Sequence, residues 1–345
     1  MAAMSAELTI YDIATRAGVG IATVSRVLNG SARVSSATRA AVQQAMHDLG
    51  FRPNRAARRL AAGGPNRPRI AALLPLFSSD FYFSVSRPMA QILLAEDMDL
   101  VLFDIDITGD EAKDRLLDRI IQERSCEGVI FCSMGIGQDR QAQLLNLGIP
   151  FVCVDYHLPG APCITVDNVH GGALATRHVL ACGSARPALI NGPLTGIAFR
   201  DRLRGFQEAA GPDQPVITAD ILTREAGAAA CANLLRRFPA TDGIVCASDI
   251  LAVGVLETLT KQGRQVPQDI QVVGFDDQPL MDFLGLTTVR QPMADFGAWS
   301  ARSIAALVRT PGTTVPSVEQ PLALITRTTT RGPMPGEKLR KKNRR

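Results

Sequence analysis

The stretch "AGVGIATVSRVLNG", residues 17–30, decides the fold of the N-terminal region. A helix that Thr9 can cap precedes this stretch and ends at Gly18, and a third helix is predicted from about Ser35 to Leu49. The turn between the first two helices is three or four residues long and contains glycine, which is the spacing of a helix–turn–helix. The sequence therefore predicts an all-helical N-terminal headpiece.

The second predicted helix starts without a polar side chain, at Gly20, Ile21 and Ala22. Gly20 can still cap the helix to within a few tenths of a kcal/mol of a serine. Ile21 and Ala22 can contact thymine methyl groups, or Ile21 can pack in the headpiece core and Ala22 can merely allow close approach. An exposed Arg26 could donate two hydrogen bonds to a guanine edge, worth about 1–3 kcal/mol of discrimination.

Charge is distributed unevenly along the 345 residues, whose net charge is +4. Residues 1–69 carry ten arginines against three acids, and residues 337–345 carry six basic residues against one acid. The region between them is acidic, with a net charge of −8. A basic head on an acidic body predicts a polyanionic partner for the head, although charge alone also allows a solvated basic face.

Several classes of protein are disfavoured by the sequence. It contains no 18-residue apolar run, and its N-terminus lacks the basic and apolar regions of a signal peptide, which predicts a cytoplasmic protein without a membrane partner. The seven cysteines form no CxxC pair and are interpreted as core residues. We find no P-loop, no GxSxG motif and no metal-binding spacing, so no enzyme activity, metal or cofactor is expected.

From residue 70 onwards, short apolar runs such as "GVIFCSM" and "IQVVGFDD" alternate with helical stretches. Continuous Val/Ile-rich strands that alternate with helices indicate buried parallel sheets covered on both faces. About 260 residues of this pattern predict two such lobes. Several runs end in a polar residue, for example Asp155 and Asp276, at the strand ends where ligands bind in these folds.

The motifs "TVSRVLN", "RPNRAARRL" and "VPQDIQVVGFDD" resemble the lactose-repressor (LacI/GalR) family, and the likeness extends over about residues 8–331. This resemblance implies an α/β protein with an all-α helix–turn–helix headpiece and a hinge helix. A two-lobed, periplasmic-binding-protein-like core of doubly wound parallel sheets is expected to follow them.

The predicted domains follow from the same resemblance. They are a headpiece at 8–52, a hinge helix and linker at 53–66, a core at 67–333, and a basic tail at 334–345 that is predicted to be disordered. Within the core we expect a first lobe of about residues 67–165 plus 292–325 and a second lobe of about residues 166–291 plus 326–333.

In function, the resemblance implies a bacterial transcriptional repressor that binds a palindromic operator in double-stranded DNA as a homodimer. It would act in the cytoplasm and associate with the nucleoid when bound. A small carbohydrate-like effector, a sugar or a sugar acid, is expected between the two core lobes.

The resemblance also assigns candidate DNA contacts. They are Ile21, Ala22, Thr23, Ser25, Arg26, Asn29, Asn54, Arg55 and Leu60. Thr23, Ser25 and Asn29 could contact phosphates or serve as local caps. Leu60 matches the family position that wedges into a central minor-groove step, whereas without the resemblance it would be ordinary hinge packing.

Candidate effector contacts come from scattered positions that match the family's cavity. They are Ser79, Phe81, Tyr82, Asp155, Arg200, Ser248, Asp249, Asp276 and Gln291. Arg200 and Asp276 are the leading candidates, with a structural ion pair or a helix cap as the alternative. Asp249 fits an N-cap better than a ligand contact, and an acidic ligand would use Arg200 as a carboxylate clamp.

Three other functions compete with a sugar-controlled repressor. A transport receptor would lack the basic head, and an enzyme on a doubly wound fold would need a catalytic set that the sequence does not show. The third alternative is the same regulator controlled by a protein corepressor instead of a small molecule.

Overall fold

The computed structural model describes residues 9–28, 34–49, 67–76, 79–105 and 110–332. Its headpiece consists of α1 (Ile10–Ala17), α2 (Ile21–Leu28) and α3 (Ser36–Asp48), which confirms the predicted helices. The α1 helix begins after Thr9, whose N–H and hydroxyl both donate to the Asp12 carboxylate, at 2.7 and 2.8 Å. It ends at Gly18, which adopts a left-handed φ of +65° that glycine tolerates.

A small core holds the three headpiece helices together. Each helix contributes two buried apolar side chains: Ile13, Ala14, Val24, Val27, Val42 and Ala45. At the surface, the Arg16 guanidinium lies 3.3 Å from the Asp48 carboxylate and links α1 to α3. The headpiece therefore fixes the direction in which each face of α2 points.

The first lobe of the core is built on a parallel sheet covered on both faces. In spatial order its strands are β2 (Asp99–Asp104), β1 (Arg69–Leu74), β3 (Gly128–Cys132), β4 (Phe151–Val154), β5 (Cys163–Val166) and β11 (Val318–Gln320). Its helices are α4 (Asp80–Ala95) and α11 (Met293–Arg309) on one face and α5 (Asp110–Glu123) and α6 (Gln138–Asn146) on the other. The winding direction reverses between β1 and β3, which makes that point a favoured ligand position.

The second lobe repeats this arrangement. In spatial order its strands are β7 (Val216–Thr218), β6 (Pro187–Asn191), β8 (Gly243–Cys246), β9 (Gln271–Asp276), β10 (Thr287–Arg290) and β12 (Ala323–Ile325). Its helices are α7 (Asn168–Ala181) and α8 (Ile197–Ala210) on one face and α9 (Arg224–Arg237) and α10 (Asp249–Lys261) on the other. All neighbouring strands are parallel except β12, which runs antiparallel to β10. The prediction of doubly wound parallel sheets is confirmed.

The chain crosses between the lobes three times: after β5, between β10 and α11, and between β11 and β12. The third crossing comes a few residues earlier than the expected position near residue 325. Leu324 pairs with Val289 of β10, so the last strand already belongs to the second lobe from Ala323. The cause is a strand of only three residues, which is too short to be recognised by its pattern.

The remaining chemistry-bearing residues fit a packed core. All seven cysteines are free thiols with buried side chains, as expected of small apolar residues. Within the described parts of the chain, no helix is long and apolar enough to cross a membrane. The same parts contain no group of three or more metal-ligand side chains.

Candidate functional site

The first candidate site is the exposed face of α2. Val24 and Val27 are buried against the headpiece core, whereas Ala22 and Arg26 are exposed on the other side of the helix. Ile21 keeps 38 % of its surface exposed and does not join the headpiece core, which removes the core alternative for this residue. Positions 21, 22, 25 and 26 fall on one helical face because residues four apart are neighbours.

The N-terminal end of α2 is open. The Gly20 carbonyl accepts the N–H groups of Thr23 and Val24, at 2.8 and 3.2 Å. A Cβ built at Gly20 would have no neighbour within 4 Å, so a surface can approach this end of the helix closely. The remaining predicted DNA contacts, Asn29, Asn54, Arg55 and Leu60, lie outside the described residues.

The second candidate site is a small cavity between the two core lobes, of about 60 Å³, which we call the central cavity. Helix α4 and the ends of β3 and β4 form its wall on the first lobe, and helix α8 and the ends of β8 and β9 form it on the second. Its wall residues are Ser79, Phe81, Tyr82, Ser133, Asp155, Gly196, Ile197, Ala198, Phe199, Arg202, Leu222, Ser248, Asp276 and Gln291. Seven of the nine predicted effector residues are thus brought together here.

Hydrogen bonds around Asp276 connect the two lobes. Its carboxylate accepts the side-chain amides of Gln291 at 2.7 Å and Gln278 at 3.0 Å. The Gln278 amide also donates to Ser79 Oγ on the first lobe, at 3.1 Å. On the first lobe itself, Ser133 Oγ donates to the Asp155 carboxylate at 3.0 Å.

The cation of the central cavity is Arg202, which is only 4 % exposed. Its Nε donates to Asn168 Oδ1 at 2.9 Å, and its Nη1 donates to the Ala247 carbonyl at 2.6 Å and lies 3.8 Å from Asp276 Oδ1. The guanidinium also stacks 3.6 Å above the Phe275 ring. These contacts fix its position, which suits a rigid donor for a ligand.

Close packing of α7 against α8 supports this geometry. A Cβ at Gly172 would collide with the Arg202 carbonyl, and a Cβ at Gly205 would collide with the Val169 carbonyl. The two glycines let the helices approach closely, which places Arg202 within reach of Asn168.

Burial dominates the electrostatics of the central cavity. It raises the pKa of Asp276 from 3.8 to about 6, although Arg202 and the two glutamine amides oppose the shift. Burial also raises the pKa of Asp155, against the opposing effects of Arg202, Ser133 and Asn168, and lowers the pKa of Arg202. The wall thus carries two carboxyl groups and one guanidinium, and burial disfavours the charged form of each.

Three buried polar atoms in the wall of the central cavity have no hydrogen-bond partner within the described parts of the chain. They are Asp155 Oδ1, Ser248 Oγ and Gln291 Oε1. A buried polar group without a partner costs about 1–3 kcal/mol, and such groups in native proteins call for an explanation. Two acceptors and a hydroxyl around one cavity match a ligand that carries hydroxyl groups.

Backbone conformation points to the same positions. Ser133, Asp155 and Asp276 have positive φ angles of 54°, 52° and 117°. Such conformations are uncommon for residues other than glycine and cluster at functional sites. Here they turn the chain sharply at the strand ends that meet at the central cavity.

Two predicted effector residues lie elsewhere. Arg200 is exposed, donates to the Leu194 carbonyl at 3.2 Å, and does not line the central cavity with the other predicted effector residues. On a helix with 100° between residues, positions 200 and 202 face nearly opposite directions. Asp249 is fully buried, and its carboxylate accepts Thr288 Oγ1 at 2.6 Å and the Gln278 N–H at 2.8 Å, which makes it structural.

Arg202, Ser133 and Phe199 line the central cavity and Gln278 contacts two of its wall residues, but none of the four was predicted from the sequence. A signal for Arg202 was present, because Phe199, Arg202 and Phe206 recur at helical spacing and Phe206 is fully buried. Ser133 and Gln278 lie in short turns after strands, where periodicity carries no information.

Comparison with known proteins gives consistent matches over most of the chain. The profile of the lacI family of bacterial regulatory proteins matches residues 9–54, and that of a periplasmic binding protein-like domain matches residues 176–330. The ribose operon repressor of Halalkalibacterium halodurans is 33 % identical over 330 residues, which cover 94 % of this chain and 97 % of the relative.

Solved structures show the same likeness. The complex of the transcriptional regulator CelR with cellobiose superimposes with a TM-score of 0.66 at 30 % identity, covering 94 % of this chain and all of the other. The lac repressor dimer bound to operator and an anti-inducer superimposes with a TM-score of 0.69 at 26 % identity, covering 94 % and 99 %.

Proposed function

The chain belongs to the lacI family of bacterial regulatory proteins and is a DNA-binding transcriptional repressor, not an enzyme, and we propose that the α2 face and the central cavity are its two working sites. In this proposal a homodimer binds a palindromic operator through α2, and a carbohydrate-like effector in the central cavity controls binding. The protein acts in the cytoplasm and joins the nucleoid while bound to its operator.

For DNA reading, exposure of the α2 face is the supporting observation. Arg26 lies on the same exposed face as Ile21 and Ala22, with its guanidinium available to a guanine edge. The two apolar residues supply methyl contacts and let the helix enter the major groove. Each half-site should therefore contain one strongly required G·C pair, whereas the neighbouring base pairs should tolerate substitution more readily. The role of Leu60 as a minor-groove wedge stays a prediction.

For the effector, the single observation that carries the proposal is the set of unpaired atoms on Asp155, Ser248 and Gln291. Neutral hydroxyl groups can donate to the two acceptors and share a hydrogen bond with the serine. An anionic group would face two carboxylates and only one guanidinium, Arg202. The central cavity thus suits the neutral, polyhydroxylated part of a carbohydrate.

Control follows from the position of the cavity. Asp155 belongs to the first lobe and Asp276 to the second, so a ligand that contacts both favours one relative arrangement of the lobes. A ligand can shift an equilibrium only by its difference in affinity for the two states. Binding across the cleft supplies such a difference, and operator affinity responds to it.

The test uses the full chain. Operator sequences are selected from random duplex DNA, and operator affinity is then measured with a panel of sugars that includes ribose and cellobiose. At least one sugar should change operator affinity tenfold or more, and Asp276→Asn should abolish that response. Asp213→Asn, which removes an exposed carboxylate of the same lobe, should leave the response intact.

The two halves of the proposal fail separately. If selection enriches no sequence, the DNA-reading half is wrong. If an operator is found but no sugar alters its affinity, or if Asp276→Asn keeps the full response, the effector half is wrong.

A further inference from the structure

A second cavity lies at the mouth of the cleft, next to the central cavity, and we call it the mouth cavity. It has a volume of about 620 Å³ and shares Ser133, Gly196 and Ile197 with the central cavity. A ligand bound in the central cavity therefore can extend into the mouth cavity without leaving the protein.

The charged side chains of the mouth cavity are mostly cationic. Lys113 of α5 contributes from the first lobe, with Nζ donating to the Gly135 carbonyl at 3.3 Å. Arg200 of α8 contributes from the second lobe, and its bond to Leu194 uses one of the five N–H donors of its guanidinium. Asp114 also lines the wall, and its carboxylate, 3.6 Å from the Arg140 guanidinium, shares that guanidinium with the Asp118 carboxylate.

Two helices begin at the mouth cavity. The α6 helix starts after Gly137 and α8 after Gly196, and both glycines are wall residues. Neither N-cap supplies a side-chain hydrogen bond, so the first-turn N–H groups keep their donor capacity. The partial positive charge of a helix N-terminus favours anions. The first turn of α8 carries no acidic residue, whereas the exposed Asp139 in the first turn of α6 opposes this effect there.

We propose that the mouth cavity binds an anionic group, a phosphate or a carboxylate, carried by the effector whose hydroxyl-bearing part occupies the central cavity. This inference rests on the proposed function of the central cavity. The two carboxylates there, Asp155 and Asp276, disfavour a second negative charge beside them. A negative charge in the adjacent mouth cavity instead meets Lys113 of the first lobe and Arg200 of the second, and it links the two lobes across the cleft.

Matched ligand sets test the inference by titration calorimetry on the full chain. The sets are ribose with ribose 5-phosphate and ribonate, and glucose with glucose 6-phosphate and glucuronate, and cellobiose serves as a larger neutral sugar. We expect at least one anionic member to bind tenfold or more tightly than its neutral parent. The phosphate and acid members of each set show which anion the cavity prefers.

Variants then locate the effect. Arg200→Gln and Lys113→Gln should each reduce the preference for the anion at least fivefold and leave the affinity for the neutral parent within twofold. Arg204→Gln is the matched control, because it removes the same charge from the same helix at an exposed position outside the mouth cavity. Its preference should equal that of the unmodified chain.

The opposite results separate this inference from the function on which it rests. If a neutral sugar, cellobiose included, binds as tightly as any anion or more tightly, the anionic subsite is wrong and the proposed function stands. The subsite is equally wrong if Arg200→Gln and Arg204→Gln behave alike. If no member of any set binds, the carbohydrate effector itself fails, and the subsite with it.

Discussion

The α2 helix and the central cavity differ in how their residues come together. The exposed face of α2 comes from one run of eight residues, Ile21–Leu28, and its orientation follows from the two valines buried on the opposite side. The central cavity gathers side chains from both lobes, between Ser79 and Gln291 in sequence. A locally encoded site tolerates single changes in its neighbours, whereas a site assembled from distant segments depends on each buried contact.

The largest effect is expected from replacing Arg202, the buried cation of the central cavity. In Arg202→Met, the Asp276 and Asp155 carboxylates lose their counter-charge, and the Asn168 side chain and Ala247 carbonyl lose a donor. Removing one partner of a buried ion pair costs about 3–5 kcal/mol. Urea unfolding of the full chain, followed by circular dichroism, should show this loss in the free energy of unfolding.

The matched variant is Arg200→Met, two residues earlier on the same helix but exposed. Its free energy of unfolding should change by less than about 0.5 kcal/mol, as for most surface substitutions. Equal losses for the two variants would contradict the placement of Arg202 in the wall and of Arg200 outside it. The loss in Arg202→Met should also be smaller at pH 5 than at pH 7.5, because protonated carboxyl groups need no counter-charge.

The fold could be predicted because its determinants are local or repeated. Thr9 and Gly18 bound α1 by capping chemistry, and runs such as Gly128–Cys132 are buried at every position, as a central parallel strand requires. The three-residue strand at 323–325 carried too little pattern to be placed.

The central cavity could be predicted only in part. Asp276 ends a strand, and Asp155, Ser248 and Gln291 follow strands, so topology alone brings them to the cleft. The choice between Arg200 and Arg202 depended on the rotation of α8 against α7, which is set by the close approach at Gly172 and Gly205. Contacts between segments that are distant in sequence determine that rotation, and a single sequence does not reveal them.

Arg26→Ala tests the α2 face and should have the next largest effect. Losing a bidentate contact to guanine should reduce discrimination at one base pair of each half-site by about 1–3 kcal/mol. Competitive binding to single-base operator variants measures this directly. Arg26→Lys keeps the charge but not the paired donors, so discrimination that survives in this variant would indicate a phosphate contact instead.

The central cavity should also make stability depend on pH. Because burial raises the pKa of Asp276 from 3.8 to about 6, the folded chain holds a proton that the unfolded chain releases between these values. The free energy of unfolding therefore falls as pH rises from about 4 to about 6, by on the order of 1–2 kcal/mol. The raised pKa of Asp155 acts in the same direction.

Asp276→Asn isolates this contribution. The difference between the unmodified chain and the variant, measured by urea unfolding across pH 4–8, cancels the carboxyl groups that the two share. A difference that stays constant with pH would contradict a raised pKa for Asp276. A difference that changes the other way, with the unmodified chain gaining relative stability as pH rises, would mean that Arg202 outweighs burial.

Gly20→Ser should have the smallest effect. It separates two explanations for the absence of a polar side chain at the start of α2. A Cβ at this position meets nothing within 4 Å, and serine caps a helix better than glycine by only a few tenths of a kcal/mol. If Gly20 acts only as a cap, thermal unfolding of the headpiece should shift slightly upward. Operator affinity should then stay the same or rise at every sequence alike, because a hydroxyl can contact phosphate but does not distinguish bases at this position.

A tenfold loss of operator affinity with unchanged stability would instead show that α2 needs an unobstructed first turn to enter the groove. Operator binding by the headpiece would then require glycine at position 20, just as the central cavity requires Arg202.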